Sequence, residues 1–231
     1  NQFFVVANNK DTKGYIKAGN ERVVEARLND AEFFWNKNKT LILGDLHLEK
    51  SSYFAKLGNF LPPYDSIQTL ARLNSKIRDL DVKKIILLGD IFHDVKGYSR
   101  LRKVAFNKLD KICKDLKVIW IIGNHDGQLA PPTVEIKKNY YFDKVNFNHI
   151  SDKNSNFEIS AHYHPKIYLK IRGKKISRPC FMVSRNKIII PAYGTYTGGL
   201  DIEKEDFKKN FPGHYAKYIF NDKDVFLINS L

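Results

Sequence analysis

Three uninterrupted apolar runs, Leu41-Ile42-Leu43, Ile85-Ile86-Leu87-Leu88 and Val118-Ile119-Trp120-Ile121-Ile122, organise the first half of this 231-residue chain. Short apolar runs bounded by polar residues predict strands buried on both faces. Between them the hydrophobic positions recur every three to four residues. Ile67, Leu70, Leu73, Ile77 and Leu80 predict an amphipathic helix, entered through Pro62-Pro63-Tyr64-Asp65 with Asp65 as its N-cap. Leu101, Val104, Leu109, Ile112, Cys113 and Leu116 predict a second. Strand, loop and helix thus repeat, the alternation that implies a parallel sheet with crossover helices. Ahead of this unit, Val23 to Leu28 and Phe33 to Trp35 read as short strands, and Asn8 to Asn20 as a polar loop or frayed arm.

After Asn139 the rhythm changes to short strands: Tyr140 to Phe142, Phe157 to Ser160, Ile167 to Ile171, Phe181 to Val183, Lys187 to Ile190 and Tyr218 to Phe220. These predict a second, mostly antiparallel sheet. Two sheets face to face with helices outside make an α/β fold, a four-layer α-β-β-α sandwich. We expect one domain over 1–231, with 1–21 as a loose N-terminal arm. A hydrophobic content of 43% and an aromatic content of 13% are those of a folded globular chain. No apolar stretch approaches the ~20 residues of a membrane helix. Asn1-Gln2-Phe3-Phe4-Val5-Val6 lacks the basic start and long apolar core of a signal peptide. Cys113 and Cys180 fall in apolar settings and read as buried free thiols, which fits a reducing cytoplasm.

Each of the three apolar runs stops at or just before a glycine followed by metal-ligand residue types: Gly44-Asp45-Leu46-His47, Gly89-Asp90-Ile91-Phe92-His93 and Gly123-Asn124-His125-Asp126. Sites in open α/β sheets gather at the carboxyl ends of strands. His162-Tyr163-His164-Pro165 follows, and six of the seven histidines lie in or near these clusters once His149 is counted. Each piece is ordinary alone. Asp-x-His recurs by chance, Gly-Asp is often a turn, and His-x-His suits an exposed edge strand. The ordered set at successive strand ends is not ordinary. Its carboxylates, amide and imidazoles, with no thiolate, suit Mn²⁺, Fe²⁺ or Zn²⁺. Asp45 with His47, and His162 with His164, would each project to one side of an extended segment.

At these residues the chain resembles the calcineurin-like metallophosphoesterase superfamily, whose pattern is Asp-x-His, Gly-Asp, Gly-Asn-His-Asp/Glu, a lone His and Gly-His-x-His. His149 matches the lone His, and Ala161 stands where the last motif has Gly. Asp45-Leu46-His47-Leu48-Glu49-Lys50, Pro179-Cys180-Phe181 and the stretch Ile190 to Gly199 also resemble the DNA-ligase-associated phosphoesterases of the bacterial DNA-damage response. That resemblance covers roughly residues 22 to 202. It departs at Glu49, at Ala161 and in Phe54-Ala55-Lys56, where an Arg is missing, and these departures bear on substrate contacts. It implies two divalent ions, manganese first with iron or zinc as alternatives. One would be held by Asp45, His47 and His164, the other by Asn124, His149 and His162, with Asp90 between them. Such a pair lowers the pKa of a shared water and clamps a phosphate in line.

His125, next to Asn124 but not assigned as a ligand, would then protonate the leaving alkoxide. Asp126 would orient its ring or cap the following turn. His93 reads as a partner near Asp90 or a structural histidine, and His214 as a surface residue. Lys50 is a candidate for a phosphate oxygen and Tyr193 for a substrate contact, against the plainer readings of a solvated lysine and a packed tyrosine. The resemblance implies a DNA endonuclease in repair, with a DNA ligase and a helicase as partners by association. Two other readings stand beside it. One is a phosphodiesterase or phosphomonoesterase for small molecules or cyclic nucleotides, and the other a non-catalytic scaffold. The net charge of +14 gives an anionic substrate mild support only. Lys far exceeds Arg, as an AT-rich genome dictates, and no block of five or six like charges occurs.

Overall fold

A computed structural model describes residues 5–7, 14–17, 23–29, 31–36, 38–128, 130–155, 157–220 and 225–228. One sheet takes the strands of the first half: β1 (Val5–Ala7), β2 (Gly14–Lys17), β3 (Val23–Asn29), β4 (Glu32–Trp35), β5 (Thr40–Leu43), β6 (Lys84–Leu88), β7 (Lys117–Ile121) and β8 (Glu135–Lys137). They lie side by side in chain order, antiparallel from β1 to β5 and parallel from β5 to β8. The predicted strands at Val23 and Phe33 are therefore β3 and β4. The expected N-terminal arm contains β1 and β2. Of the expected loop over 8–20, residues 8–13 and 18–20 lie outside the described residues.

Among the described residues four helices punctuate this half: α1 (Lys50–Lys56), α2 (Asp65–Asp79), α3 (Gly97–Arg100) and α4 (Lys103–Asp115). Asp65 is the first residue of α2 rather than its cap. Its carboxylate accepts from Ser51 N and Oγ and so ties α1 to α2. The second sheet holds β9 (Asn139–Phe142), β10 (Val145–Asn148), β11 (Glu158–Ser160), β12 (Pro165–Ile171), β13 (Lys174–Val183), β14 (Lys187–Ile189), β15 (Leu200–Asp201), β16 (Ala216–Phe220) and β17 (Val225–Ile228), with α5 (Glu205–Asn210) packed on it. This sheet is mostly antiparallel, as expected, but β10, β11 and β14 run parallel to one another and β15 runs parallel to β12.

Alternation along the strands builds the layers. Ile42, Ile86, Leu88, Ile119 and Ile121 point inward against Phe147, Ile159, Phe181 and Ile188 of the facing sheet. Their neighbours Leu41, Leu43, Ile85, Leu87 and Val118 point outward onto Leu70, Leu73, Ala105 and Leu109 of α2 and α4. On the far side Ile167, Cys180 and Met182 meet Phe207 and Phe211. The order is helix, sheet, sheet, helix, the expected four-layer sandwich. Cys113 and Cys180 are free and buried, and burial pushes both thiols up to about 12, where they are inert. Among the described residues no helix is long and apolar enough to cross a membrane.

Candidate metal centre

Both sheets present the carboxyl ends of parallel strands to one place. In the first sheet β5 leads to Asp45 and His47, β6 to Asp90, and β7 to Asn124 and His125. In the second, β10 leads to His149 and β11 to His162 and His164. The loops after β5 and β6 stay paired beyond the strands, with Asp45 N donating to Gly89 O, His47 N to Asp90 O and Leu48 N to Ile91 O. Asp45 Oδ2 accepts the His162 N–H at 2.9 Å and so joins the two sheets.

The glycines make this close approach possible. Gly89 has φ +81, and a Cβ there would lie 2.5 Å from His149 Nδ1; a Cβ on Gly123 would lie 2.2 Å from Asp90 N. Ala161 is buried and is not among the residues with positive φ, so its methyl group is tolerated at the position where the resembling motif has glycine. The candidate ligands themselves are another matter. Asp45, His47, Asp90, His162 and His164 have φ of 54, 43, 50, 70 and 44. These pairs therefore do not converge through extended backbone, as the sequence led us to expect. They converge through left-handed residues, a conformation that costs free energy in non-glycine residues and clusters at functional sites.

Two groups of ligand-type atoms result, each within 4.8 Å: Asp45, His47 and His164, and Asp90, His149 and His162. In the first, His47 Nε2 lies 3.3 Å from His164 Nε2, and His164 Nε2 lies 3.3 Å from Asp45 Oδ1. Asp45 is fully buried, and its Oδ1 has no hydrogen-bond partner among the described residues. A buried carboxylate oxygen without a donor costs free energy, and a cation would satisfy it. Burial, then the adjacent His164, push the His47 pKa down to about 3, which keeps this ring neutral with a lone pair available.

In the second group His149 Nδ1 meets Leu88 O at 2.7 Å, which directs Nε2 into the site. That nitrogen lies 2.9 Å from Asn124 Oδ1, 3.1 Å from His162 Nδ1 and 3.4 Å from Asp90 Oδ2. With Nδ1–H donated to Leu88 O, the neutral ring turns its Nε2 lone pair toward these atoms, and a cation at their centre would satisfy all of them. Burial lowers the His149 pKa, but the bond to Asp90 and the charges of Asp45 and Asp90 outweigh it and raise the pKa. The carboxylates draw positive charge into this space. Asp90 stands between the groups, its Oδ2 at 3.4 Å from His149 Nε2 and 3.8 Å from His47 Nε2. The donor set thus fits two divalent ions.

The structure places His125 at the open side of this cluster. Its N–H donates to Asp90 Oδ1 at 2.9 Å, its Nε2 is 3.9 Å from Asp90 Oδ2, and its side chain is 45% exposed. His93 stacks on it with ring centroids 5.8 Å apart and contacts His47 through Nδ1 at 3.4 Å. Lys50, half-buried at the start of α1, lies at the edge, where burial and the charge of Lys166 lower its pKa against the pull of Asp65. His214 is exposed.

Two expectations need correction. Asp126 does not orient His125: its Oδ1 accepts from Ile91 N and Phe92 N and its Oδ2 from Gly123 N, so it ties two loops together. Nor can Tyr193 offer its ring to a substrate. It is 1% exposed, packed in the core beneath the Arg72 guanidinium, with its N–H donated to Gly44 O. Asp126→Ala would leave three backbone N–H groups without an acceptor, at roughly 1–3 kcal/mol each. We expect its urea midpoint to fall by the equivalent of roughly 3 kcal/mol or more. An unchanged midpoint would show that this carboxylate does not hold the loops.

A family model for the glycyl-tRNA synthetase beta subunit matches residues 1–104. The glycine–tRNA ligase beta subunit of Desulfitobacterium hafniense (strain Y51) is 36% identical over 98 residues, which are 38% of this chain and 14% of that protein. The chain thus spans about one seventh of the length of that relative. Among solved structures, nuclease MPE of Pseudomonas putida superposes with a TM-score of 0.66 at 24% identity, over 89% of this chain and 96% of that one. The phosphoesterase Yfce of E. coli gives 0.42 at 12% identity, over 82% and 97%. The fold is an α/β sandwich like that of nuclease MPE.

Proposed function

We propose that this chain is a metal-dependent phosphodiesterase that cuts DNA. The observation that carries the proposal is the pair of ligand groups with Asp90 between them and an exposed imidazole, His125, beside them. Asp45, His47 and His164 would hold one ion, and Asn124, His149 and His162 the other, manganese being our first choice. Such ions supply Lewis acidity and an activated water to a phosphate ester. The protein orients Nε2 of His149 through Leu88 O, keeps His47 neutral by burial, and leaves His125 positioned to give a proton to the departing oxygen. Lys50 at the edge would meet a phosphate oxygen.

The superposed neighbour is a nuclease, which favours a nucleic-acid diester over a small ester. The resemblance of Asp45 to Lys50 and of Ile190 to Gly199 to ligase-associated phosphoesterases supports a role in DNA repair beside a ligase and a helicase. The match to the synthetase subunit ends at residue 104, before Asn124, His125, His149, His162 and His164, so the activity is read from the site.

Metal loading tests the reading. After Mn²⁺ reconstitution, elemental analysis should find two ions per chain. A chelator should abolish hydrolysis of bis-p-nitrophenyl phosphate and DNA while circular dichroism stays unchanged, because the sheets pack through apolar side chains. Well under one ion per chain would overturn it. Turnover of the small ester without any cutting of DNA would leave a small-molecule phosphoesterase.

A further inference from the structure

From Ile159 to Leu200 the chain carries no Asp or Glu and eight Lys or Arg. Along the sequence these charges are spaced, but six fall in the β12–β13 hairpin, and the fold gathers them. Directly opposed residues of antiparallel strands project to the same face. Lys166 opposes Pro179, Tyr168 opposes Ser177, and Lys170 opposes Lys175. Lys166, Tyr168, Lys170 and Lys175 therefore share one face. The other face, with Ile167 and Leu169, packs toward Phe207 and Phe211.

The lysine face is open. Tyr168 is 41% exposed, Lys170 and Lys175 are exposed, and Lys175 Nζ sits 4.7 Å from the Tyr168 ring centroid. Lys111, Lys114 and Lys217 elsewhere each reach a carboxylate, whereas among the described residues none lies within 4.0 Å of Lys166, Lys170 or Lys175. Lys170 against Lys175 is a like-charge cross-strand pair, which destabilises a hairpin on its own. A polyanion lying across the face removes that repulsion.

The row also starts at the metal centre. β12 begins directly after His164, and Lys166 lines with His164 and Gly194 a cleft of about 300 Å³. Lys170 lies four residues farther, about 14 Å along a strand that rises ~3.4 Å per residue. We propose that this face of the hairpin is a track for a single-stranded nucleic acid, with Lys166, Lys170 and Lys175 on backbone phosphates and Tyr168 stacked on a base. The track leads the strand into the centre, and in this it rests on the phosphodiesterase reading above. An open ring between cations suits an unstacked base, whereas the phosphates of a duplex would need the cations alone.

The test is an anisotropy titration of the Mn²⁺-loaded full chain with a labelled phosphorothioate oligo(dT) at several salt concentrations. Each phosphate contact on a single strand contributes ~0.7 to the salt slope, so Lys170→Gln/Lys175→Gln should lower the slope by about 1.4 and weaken binding about 25-fold near 0.1 M salt. Tyr168→Ala should weaken it about tenfold, within the range for one stacked base. Lys208→Gln/Lys209→Gln, removing two exposed charges on α5, should change it less than about twofold. The hairpin double variant should melt no lower than the wild type, because its core face is untouched and a repulsive pair is gone. Wild-type affinity in the hairpin variants would overturn the track. So would equal loss in the α5 control, or equal binding of duplex with no effect of Tyr168→Ala. Turnover of bis-p-nitrophenyl phosphate separates the two proposals. If the wild type hydrolyses it while the hairpin variants bind normally, only the track falls; if the loaded wild type does not hydrolyse it, the phosphodiesterase reading falls.

Discussion

Asp90→Asn is expected to lose both turnover and metal. The carboxylate lies against nitrogens of both ligand groups, 3.4 Å from His149 Nε2 and 3.8 Å from His47 Nε2. Burial disfavours its charge, yet the bond and charge of His149, the His125 N–H and the His47 ring outweigh that and hold its pKa below the usual carboxylate range. Asn keeps the shape and one acceptor, so it can still receive the His125 N–H and preserve the loop. What it loses is the charge shared between two cation positions. Changing a partner outside the ligand set typically costs 10–100-fold. A shared ligand should cost more than about 100-fold on bis-p-nitrophenyl phosphate, with fewer than two ions per chain by elemental analysis. The melting temperature of the metal-free protein should stay close to the wild type. Wild-type turnover would make Asp90 a turn residue and remove the basis of the two-ion centre.

What made Asp90 legible is physical. Gly-Asp after one strand is an ordinary turn, but three buried strands that each run into Gly and a metal-ligand residue type, lying side by side, share one end. The helices α2 and α4 were legible for the same kind of reason, since a period near 3.6 needs no knowledge of what lies opposite. The misses are equally instructive. β10 was not read, because Val145-Asn146-Phe147-Asn148 is four residues long with asparagines between its buried positions, yet it delivers His149. Asp126 and Tyr193 were misassigned because their roles depend on what approaches from elsewhere in the chain: the N–H groups of Ile91 and Phe92, and the Arg72 guanidinium. No periodicity announces the left-handed backbone at Asp45 and His162, because only the packed loops enforce it. The charge of the hairpin looked diffuse when counted residue by residue, since a strand puts alternate residues on one face and pairs Lys170 with Lys175 only after folding. The similarity of residues 1–104 to a synthetase subunit left no trace in patterning or ligand spacing.

His125→Ala should separate proton donation from metal binding. The side chain is 45% exposed, in contrast to His149, which is buried with Nε2 turned onto Asn124, His162 and Asp90. His125 is anchored by its backbone, through the N–H donated to Asp90 Oδ1, and its ring lies flat on His93 at an interplanar angle of 10°. Alanine keeps that backbone bond, so the ligand groups should keep their geometry and elemental analysis should still find two ions. General acid catalysis contributes ~10²–10⁴-fold. Cleavage of a DNA diester, whose leaving alkoxide is strongly basic, should fall by about that factor. A p-nitrophenolate departs without a proton, so bis-p-nitrophenyl phosphate should be slowed far less. His149→Ala supplies the contrast: it removes a ring that faces three other ligand atoms, and it should lose an ion and slow both substrates alike. If His125→Ala behaved the same way, losing metal and slowing both substrates equally, the exposed imidazole would be a ligand. The leaving group would then take its proton from water.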